Sequence, residues 1–251
     1  MMNEVQRANG YGFLAQVFAY PRKETFEILS RGNILEAFNG LEEKFVTQAY
    51  QIIELLRTLG YEKVCEQYVE TFGHTISTEC PPYETSYGEA HIFQQTQEMA
   101  DIAGFYRAWG LDLSSDAHDR LDHISAECEF MSFLLLKLDY FSSEGEKEAE
   151  EVCLDSSKKF LKEHPGKWGP LFSKLLMRKA SQGLYHKVAE LLREFIEKEK
   201  QIFGVEPLEY TEKDFRSVAF EDGACSQCGP SEDGKLGEEL NLKAGQAPKS
   251  N

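Results

Sequence analysis

An all-α fold is predicted by three observations. Apolar residues recur at helical spacing along most of the chain, no stretch alternates β-branched and polar residues as a strand would, and glycine or proline stands where the periodic stretches stop. At 251 residues the chain can bury one substantial core. A single helical bundle of about ten helices is therefore expected over residues 1–220, followed by a flexible tail over 221–251.

The first helix is expected from about Asn3 to Tyr20, with Phe13, Val17 and Tyr20 on one face, and Pro21 ends it because proline cannot continue the hydrogen-bond ladder. Lys23–Ser30 and Asn33–Phe38 follow as short helices separated by Arg31-Gly32. Glu43–Leu59 carries Phe45, Ala49, Ile52, Ile53 and Leu56 at core spacing before Gly60 stops it, and Tyr61–Phe72 is closed by Gly73. Gly73 to Tyr87 is a long irregular loop with two prolines, of the kind that more often carries function than the helices around it. Glu89–Trp109 is the next helix, with Ile92, Met99, Ile102, Ala103 and Tyr106 facing inward and Gly110 as its stop.

Ala117–Phe141 is the expected central helix. At about 100° per residue, Leu121, Ile124, Cys128, Met131, Leu135 and Leu138 share one face, while Phe130, Phe133, Leu134 and Leu136 cover much of the rest. The charged run Glu144–Glu151 opens a further helix that ends near His164-Pro165-Gly166, its charges forming a solvated face. Trp168–Ser181 and Leu184–Phe203 complete the bundle; the last has Leu184, Val188, Leu191, Leu192, Phe195 and Phe203 on an apolar stripe. Past Phe220 there is no aromatic residue, and the segment 221–251 lacks the apolar groups needed to offset ordering entropy.

Charge narrows the function classes. Lys+Arg 27 against Asp+Glu 43 gives a net charge of −16, which disfavours nucleic acid and anionic lipid surfaces and favours a cationic peptide. The start of the chain has no positive stretch followed by an apolar run and cleavage site, so no signal peptide is expected. No apolar stretch approaches the ~20 residues of a membrane span, and a cytoplasmic protein is expected. Cys65, Cys128 and Cys153 fall in helical patterns and read as small core residues. Cys225 and Cys228 are the one close pair; they read either as an exposed tail pair or as half of a metal site that lacks a second pair of ligands.

Two segments carry the polar chemistry. Cys80-Pro81-Pro82-Tyr83-Glu84-Thr85-Ser86-Tyr87 combines proline stiffness, two aromatic rings and a carboxylate, a mix suited to a peptide groove in which Glu84 accepts an arginine. Asp122, His123 and Glu127 open the most apolar helix; His123 and Glu127, four apart, lie side by side, whereas Asp122 points away from Glu127. Either Asp119, Asp122 and His123 serve the helix start as capping and dipole partners, or Asp122 and His123 face the Pro81–Tyr87 loop across a cleft.

In order and wording these segments resemble the TorD/DmsD/NarJ family, in which a proline-tyrosine-glutamate-serine-x-tyrosine-like loop precedes a helix beginning with aspartate-histidine and a glutamate four residues later. The matching residues are Pro82, Tyr83, Glu84, Thr85 and Tyr87, then Asp122, His123 and Glu127, with His164-Pro165, Trp168 and Phe172 resembling a later landmark. The resemblance reaches to about Val205 and leaves out the tail. It implies a TorD-like helical chaperone, not an enzyme and without a cofactor. Its client would be a molybdopterin-containing oxidoreductase subunit, bound by its twin-arginine leader and body until cofactor insertion is complete. Pro82, Tyr83, Glu84, Tyr87, Asp122, His123 and Glu127 would form the client site, as a monomer or dimer. Two rivals are a helical metal-dependent hydrolase and a permanent accessory subunit of a respiratory complex. Against the first, Asp122-His123 reverses the helical phosphohydrolase order, and His74, His91 and His118 show no spacing that completes a metal site.

Overall fold

Among the described residues the chain forms nine α-helices and no strand. The computed structural model describes residues 2–31, 38, 40–73, 79–88, 92–111 and 120–215, with the side chains of 92–94 left out. The helices are α1 (Glu4–Phe18), α2 (Lys23–Ser30), α3 (Glu43–Leu59), α4 (Tyr61–Phe72), α5 (Ile92–Ala108), α6 (Ile124–Glu144), α7 (Lys147–Glu163), α8 (Pro165–Ala180) and α9 (Leu184–Phe203). A 3-10 turn, Glu84–Ser86, lies between α4 and α5. Met1–Val218 forms one unit and Ala219–Asn251 another. The second unit, with the expected flexible tail and its Cys225 and Cys228, lies outside the described residues, as does the expected helix Asn33–Phe38 apart from the buried Phe38.

The bundle is organised on α1 and α6, which lie along one another, while α8 pairs with α9, α7 packs on α6 and α3 on α9. α1 begins with a capping box: Asn3 Oδ1 accepts from the Gln6 amide at 2.9 Å and Gln6 Oε1 from the Asn3 amide at 2.9 Å, satisfying two of the amides a helix start leaves over. It buries residues on several sides, including Tyr11, Leu14 and Phe18, so it is a core helix with little amphipathic character. Phe13 and Val17 are buried as expected, but the helix stops at Phe18 and Tyr20 stands half exposed beyond it. Arg7, in α1, donates to both carboxylate oxygens of Glu199 in α9 at 2.8 and 2.9 Å, a wholly buried pair; burial still raises the Glu199 carboxyl above its usual range against the opposing pull of Arg7.

Further boundaries differ from the sequence reading: α6 runs on to Glu144, past the expected Phe141, α7 begins at Lys147 and not Glu144, and the starts of α6 and α8 are also displaced. α6 begins at Ile124, not Ala117: residues 112–119 are outside the described residues, and Leu121 and Asp122 lie in a turn ahead of the helix. Their apolar spacing is continuous with the helix, but His123 holds an extended backbone and accepts the Ser125 amide, which makes it the residue that starts α6. α8 begins at Pro165, three residues before the expected Trp168. His164-Pro165 both ends α7 and starts α8, since proline lacks the N–H that the first helical turn leaves unused. Leu136, expected to be covered, is half exposed, whereas Cys128, Met131, Leu134, Leu135 and Leu138 are buried in the core.

Gly10 shows how closely α1 meets α9. A Cβ there would lie 2.5 Å from Phe195 Cζ, and the Phe195 ring is held edge-on by both Tyr11 and Phe45, at 5.0 and 5.3 Å. Helix propensity alone favours alanine over glycine by about 0.5–1 kcal/mol, yet overpacking of a filled core costs about 1–3 kcal/mol. Gly10→Ala is therefore expected to lower the unfolding free energy in a urea titration by about 1–2 kcal/mol; a stabilised variant would show that the contact relaxes freely.

Candidate functional site

The proline loop and the start of α6 meet as a short antiparallel pairing. Tyr83 and His123 form an isolated β-bridge; the Glu84 amide donates to Asp122 O at 2.9 Å and the Ile124 amide to Pro82 O at 2.9 Å. The second bond satisfies the first amide of α6, so Pro82 serves as a backbone cap from a distant segment. His123 contributes the other cap: its Nδ1 accepts the Ser125 amide at 3.1 Å and lies 2.6 Å from Ser125 Oγ. Capping and a position facing the loop are thus properties of the same residue.

Asp122 is fully buried and its carboxylate is saturated from within. Oδ2 accepts from Thr85 Oγ1 at 2.7 Å, from the Thr85 amide at 3.2 Å and from Arg120 Nη2 at 2.8 Å, while Oδ1 accepts from Arg120 Nε at 2.9 Å. This is a two-pronged arginine–carboxylate contact. Arg120 also donates to Thr85 Oγ1 at 2.6 Å and lies 4.8 Å from the centre of the Tyr83 ring.

Glu84 and Glu127 form the deeper half. Glu84, 2% exposed, accepts from His164 Nδ1 at 2.9 Å. Glu127, fully buried, accepts from Trp168 Nε1 at 2.9 Å through Oε2, while its Oε1 has no hydrogen-bond partner. Burial first, and then the neighbouring Glu84 carboxylate, push the Glu127 carboxyl well above its ordinary 4.5. Phe105 and Phe160 flank the His164 ring at 5.2 and 4.7 Å. Tyr87 closes the far end: its hydroxyl donates to Pro81 O at 2.8 Å and its ring stacks on Phe215 at 5.2 Å. The segment after α9 reaches this loop also through the backbone, Gly88 N–H donating to Asp214 O at 2.9 Å; a Cβ on Gly88 would meet Tyr210 Oη at 2.7 Å.

All seven residues singled out from the sequence come together, but not as an open groove. Pro82, Glu84, Tyr87, Asp122, His123 and Glu127 are buried, and Tyr83 alone is half-buried. The physical reason is that the protein supplies the partners itself: Arg120 holds Asp122, His164 takes the place at Glu84 where a client arginine was expected, and Trp168 donates to Glu127. Arg120, Ser125, His164 and Trp168 were not singled out as site residues. The available signals were the Arg120-x-Asp122 spacing and the four-residue step from His164 to Trp168, which puts both on one side of the α7–α8 junction. Of the cysteines expected in the core, Cys128 and Cys153 are buried and Cys65 is half-buried.

Fold and site together define an all-helical domain built around a buried polar loop–helix junction. The family described as "Nitrate reductase delta subunit" matches residues 39–174, which include both segments of that junction. Among curated relatives, a perchlorate reductase assembly chaperone protein of Dechloromonas aromatica (strain RCB) is 24% identical over 202 residues, covering 76% of this chain and 87% of the relative. Chaperone protein TorD of Aliivibrio salmonicida (strain LFI1238) is 22% identical over 209 residues, covering 78% and 96%. A crystal structure of a putative redox enzyme maturation protein from Archaeoglobus fulgidus aligns over 76% of this chain and 93% of its own, with a TM-score of 0.47 and 21% identity. The chain belongs to the nitrate reductase delta subunit family, and the TorD-like resemblance drawn from the motifs is borne out. The curated relatives are named as chaperones, not as enzymes.

The raised Glu127 carboxyl carries a pH signature. A carboxyl whose folded pKa is raised contributes stability that is fully present below its unfolded value and is lost as pH rises through the folded one. Wild-type unfolding free energy is therefore expected to fall with pH above 4.5 relative to Glu127→Gln, whose amide mimics the protonated acid. Parallel pH profiles from chemical denaturation would mean that Glu127 ionises freely in the folded protein.

Proposed function

We propose that this protein is a cytoplasmic chaperone of molybdoenzyme assembly. It holds the twin-arginine leader and the body of a molybdopterin-containing oxidoreductase subunit while the cofactor is inserted and before export. The observation that carries the reading is the family match across both segments of the junction, together with two chaperone relatives covered over most of their own length. The charge of −16 supports it, since an arginine-bearing leader is drawn to an acidic surface, more strongly at low salt. No described helix is long and apolar enough to cross a membrane, which agrees with a partner-binding role away from the lipid core.

In this reading Pro82, Tyr83, Glu84, Tyr87, Asp122, His123 and Glu127 serve the client by fixing the surface beside them. The groove next to the His123–Ser125 cap, about 540 Å³, is lined by small residues of α1 and α6 (Gly12, Ala15, Ser125) and carries the exposed carboxylate of Glu129 together with Arg22. That combination admits an extended peptide close to the backbone and places a negative charge for an arginine.

Calorimetry with leader peptides of molybdopterin enzymes from the same genome tests the proposal: saturable binding that weakens with salt is expected. Glu129→Lys should reduce the affinity by about tenfold or more, the scale of one charge-assisted hydrogen bond, with the melting curve unchanged. No binding by any leader at low salt would contradict the chaperone reading; full binding by the Glu129 variant would move the client elsewhere on the surface.

A further inference from the structure

We propose that His164, Asp101 and Glu163 bind a divalent transition-metal ion of the zinc class, at the outer end of the polar junction. One ligand atom from each of these residues lies within 4.8 Å of the others. Acidic groups on a surface often cluster without holding a metal, so the argument rests on the histidine.

His164 is 2% exposed, and its two ring nitrogens have different surroundings. Nδ1 is 2.9 Å from Glu84 Oε2 and is the nitrogen engaged from within the protein. That leaves Nε2 as the nitrogen on the outer side. Nε2 is buried, has no hydrogen-bond partner, and points at Asp101 Oδ2 across 3.6 Å. A buried ring nitrogen and a carboxylate oxygen at that separation are too far apart for a hydrogen bond and close enough to share one cation. Two ligands on one tetrahedral ion, each at about 2.1 Å, are about 3.4 Å apart, close to the separation found. A carboxylate holding the far nitrogen of a ligating histidine is also the arrangement that orients such ligands and raises their basicity.

The donor set selects the metal class. One imidazole with two carboxylates suits zinc, manganese, iron(II) or cobalt(II) better than calcium, which takes oxygen ligands alone, or copper(I), which prefers sulfur. Asp101 and Glu163 have side chains 53% and 42% exposed, so the ion reaches the site from solvent and keeps water in its remaining positions. Lys159, 3.8 Å from Glu163, is the competing cation and has to swing aside. The bound ion would join α5 and the α7–α8 junction, and through His164 and Glu84 it would brace the proline loop.

The test uses the full chain without an affinity tag, carrying Cys225→Ser and Cys228→Ser so that tail thiolates contribute nothing. Titration with Co²⁺ is expected to give one equivalent bound with a visible spectrum of nitrogen and oxygen coordination, displaced by Zn²⁺. Asp101→Asn and Glu163→Gln, both at exposed positions, should retain the wild-type helical circular dichroism and each weaken binding by about tenfold or more. Absence of Co²⁺ binding, or affinity unchanged in both variants, would overturn the site. So would a His164 ring found by NMR to be protonated on both nitrogens at neutral pH with one equivalent of Zn²⁺ present, because a proton would then fill the gap assigned to the metal.

Discussion

The grip of the Asp122 carboxylate on Thr85 and Arg120 is the constraint on which the rest of the junction depends. A charge taken wholly out of water is costly unless each lone pair finds a donor, and here four donated hydrogen bonds supply that compensation. Because Thr85 contributes both its amide and its hydroxyl, the loop has one position in which Asp122 is satisfied. That position sets the Tyr83–His123 bridge, and the bridge in turn brings Pro82 O to the first amide of α6. The start of the central helix and the shape of the loop are therefore one structural decision.

Glu84 follows from the same placement. Once Thr85 is fixed, the preceding side chain is turned into the interior, where His164 and Glu127 meet it. Two carboxyls close together in one buried space repel one another when both are charged, and burial together with Glu84 pushes the Glu127 carboxyl well above its ordinary range. His164 then couples the α7–α8 junction to the loop, 80 residues earlier in the chain, and Trp168 couples α8 to Glu127 of α6. Phe215 and Asp214, after the last helix, close over the same loop. Segments from the middle and the end of the unit converge on this loop, which is why it can be held in one conformation with little regular structure of its own.

Much of the helix pattern was legible in the sequence, and the places where reading failed share a cause. α2, α3, α4 and α9 begin and end where spacing and breakers put them: Gly60 has only one local role, separating two apolar periodic runs. His123 and Pro165 have two roles each. An apolar periodicity running back through Leu121 hides the point at which His123 leaves helical geometry, and a proline that ends one helix looks the same in sequence as one that starts the next. The gathering of Glu84, Asp122, His123 and Glu127 was legible through the motif resemblance. Their burial was not, because it depends on donors from other elements: Arg120 from the turn, His164 and Trp168 from the α7–α8 junction. A polar residue at the head of an apolar helix reads the same whether solvent or the protein satisfies it.

The central claim is that loop and helix start are one cooperative unit, and native-state hydrogen exchange tests it most directly. The amides of Glu84, Thr85 and Ile124 bond across the junction, to Asp122 O, Asp122 Oδ2 and Pro82 O. They are expected to exchange only through the global unfolding that also releases the core amides of Leu134 and Leu135, with the same free energy and the same dependence on denaturant. Exchange of Glu84 and Thr85 through a low-energy local opening, while Leu134 and Leu135 remain protected, would contradict the account and make the loop an adornment of a helix bundle that forms without it.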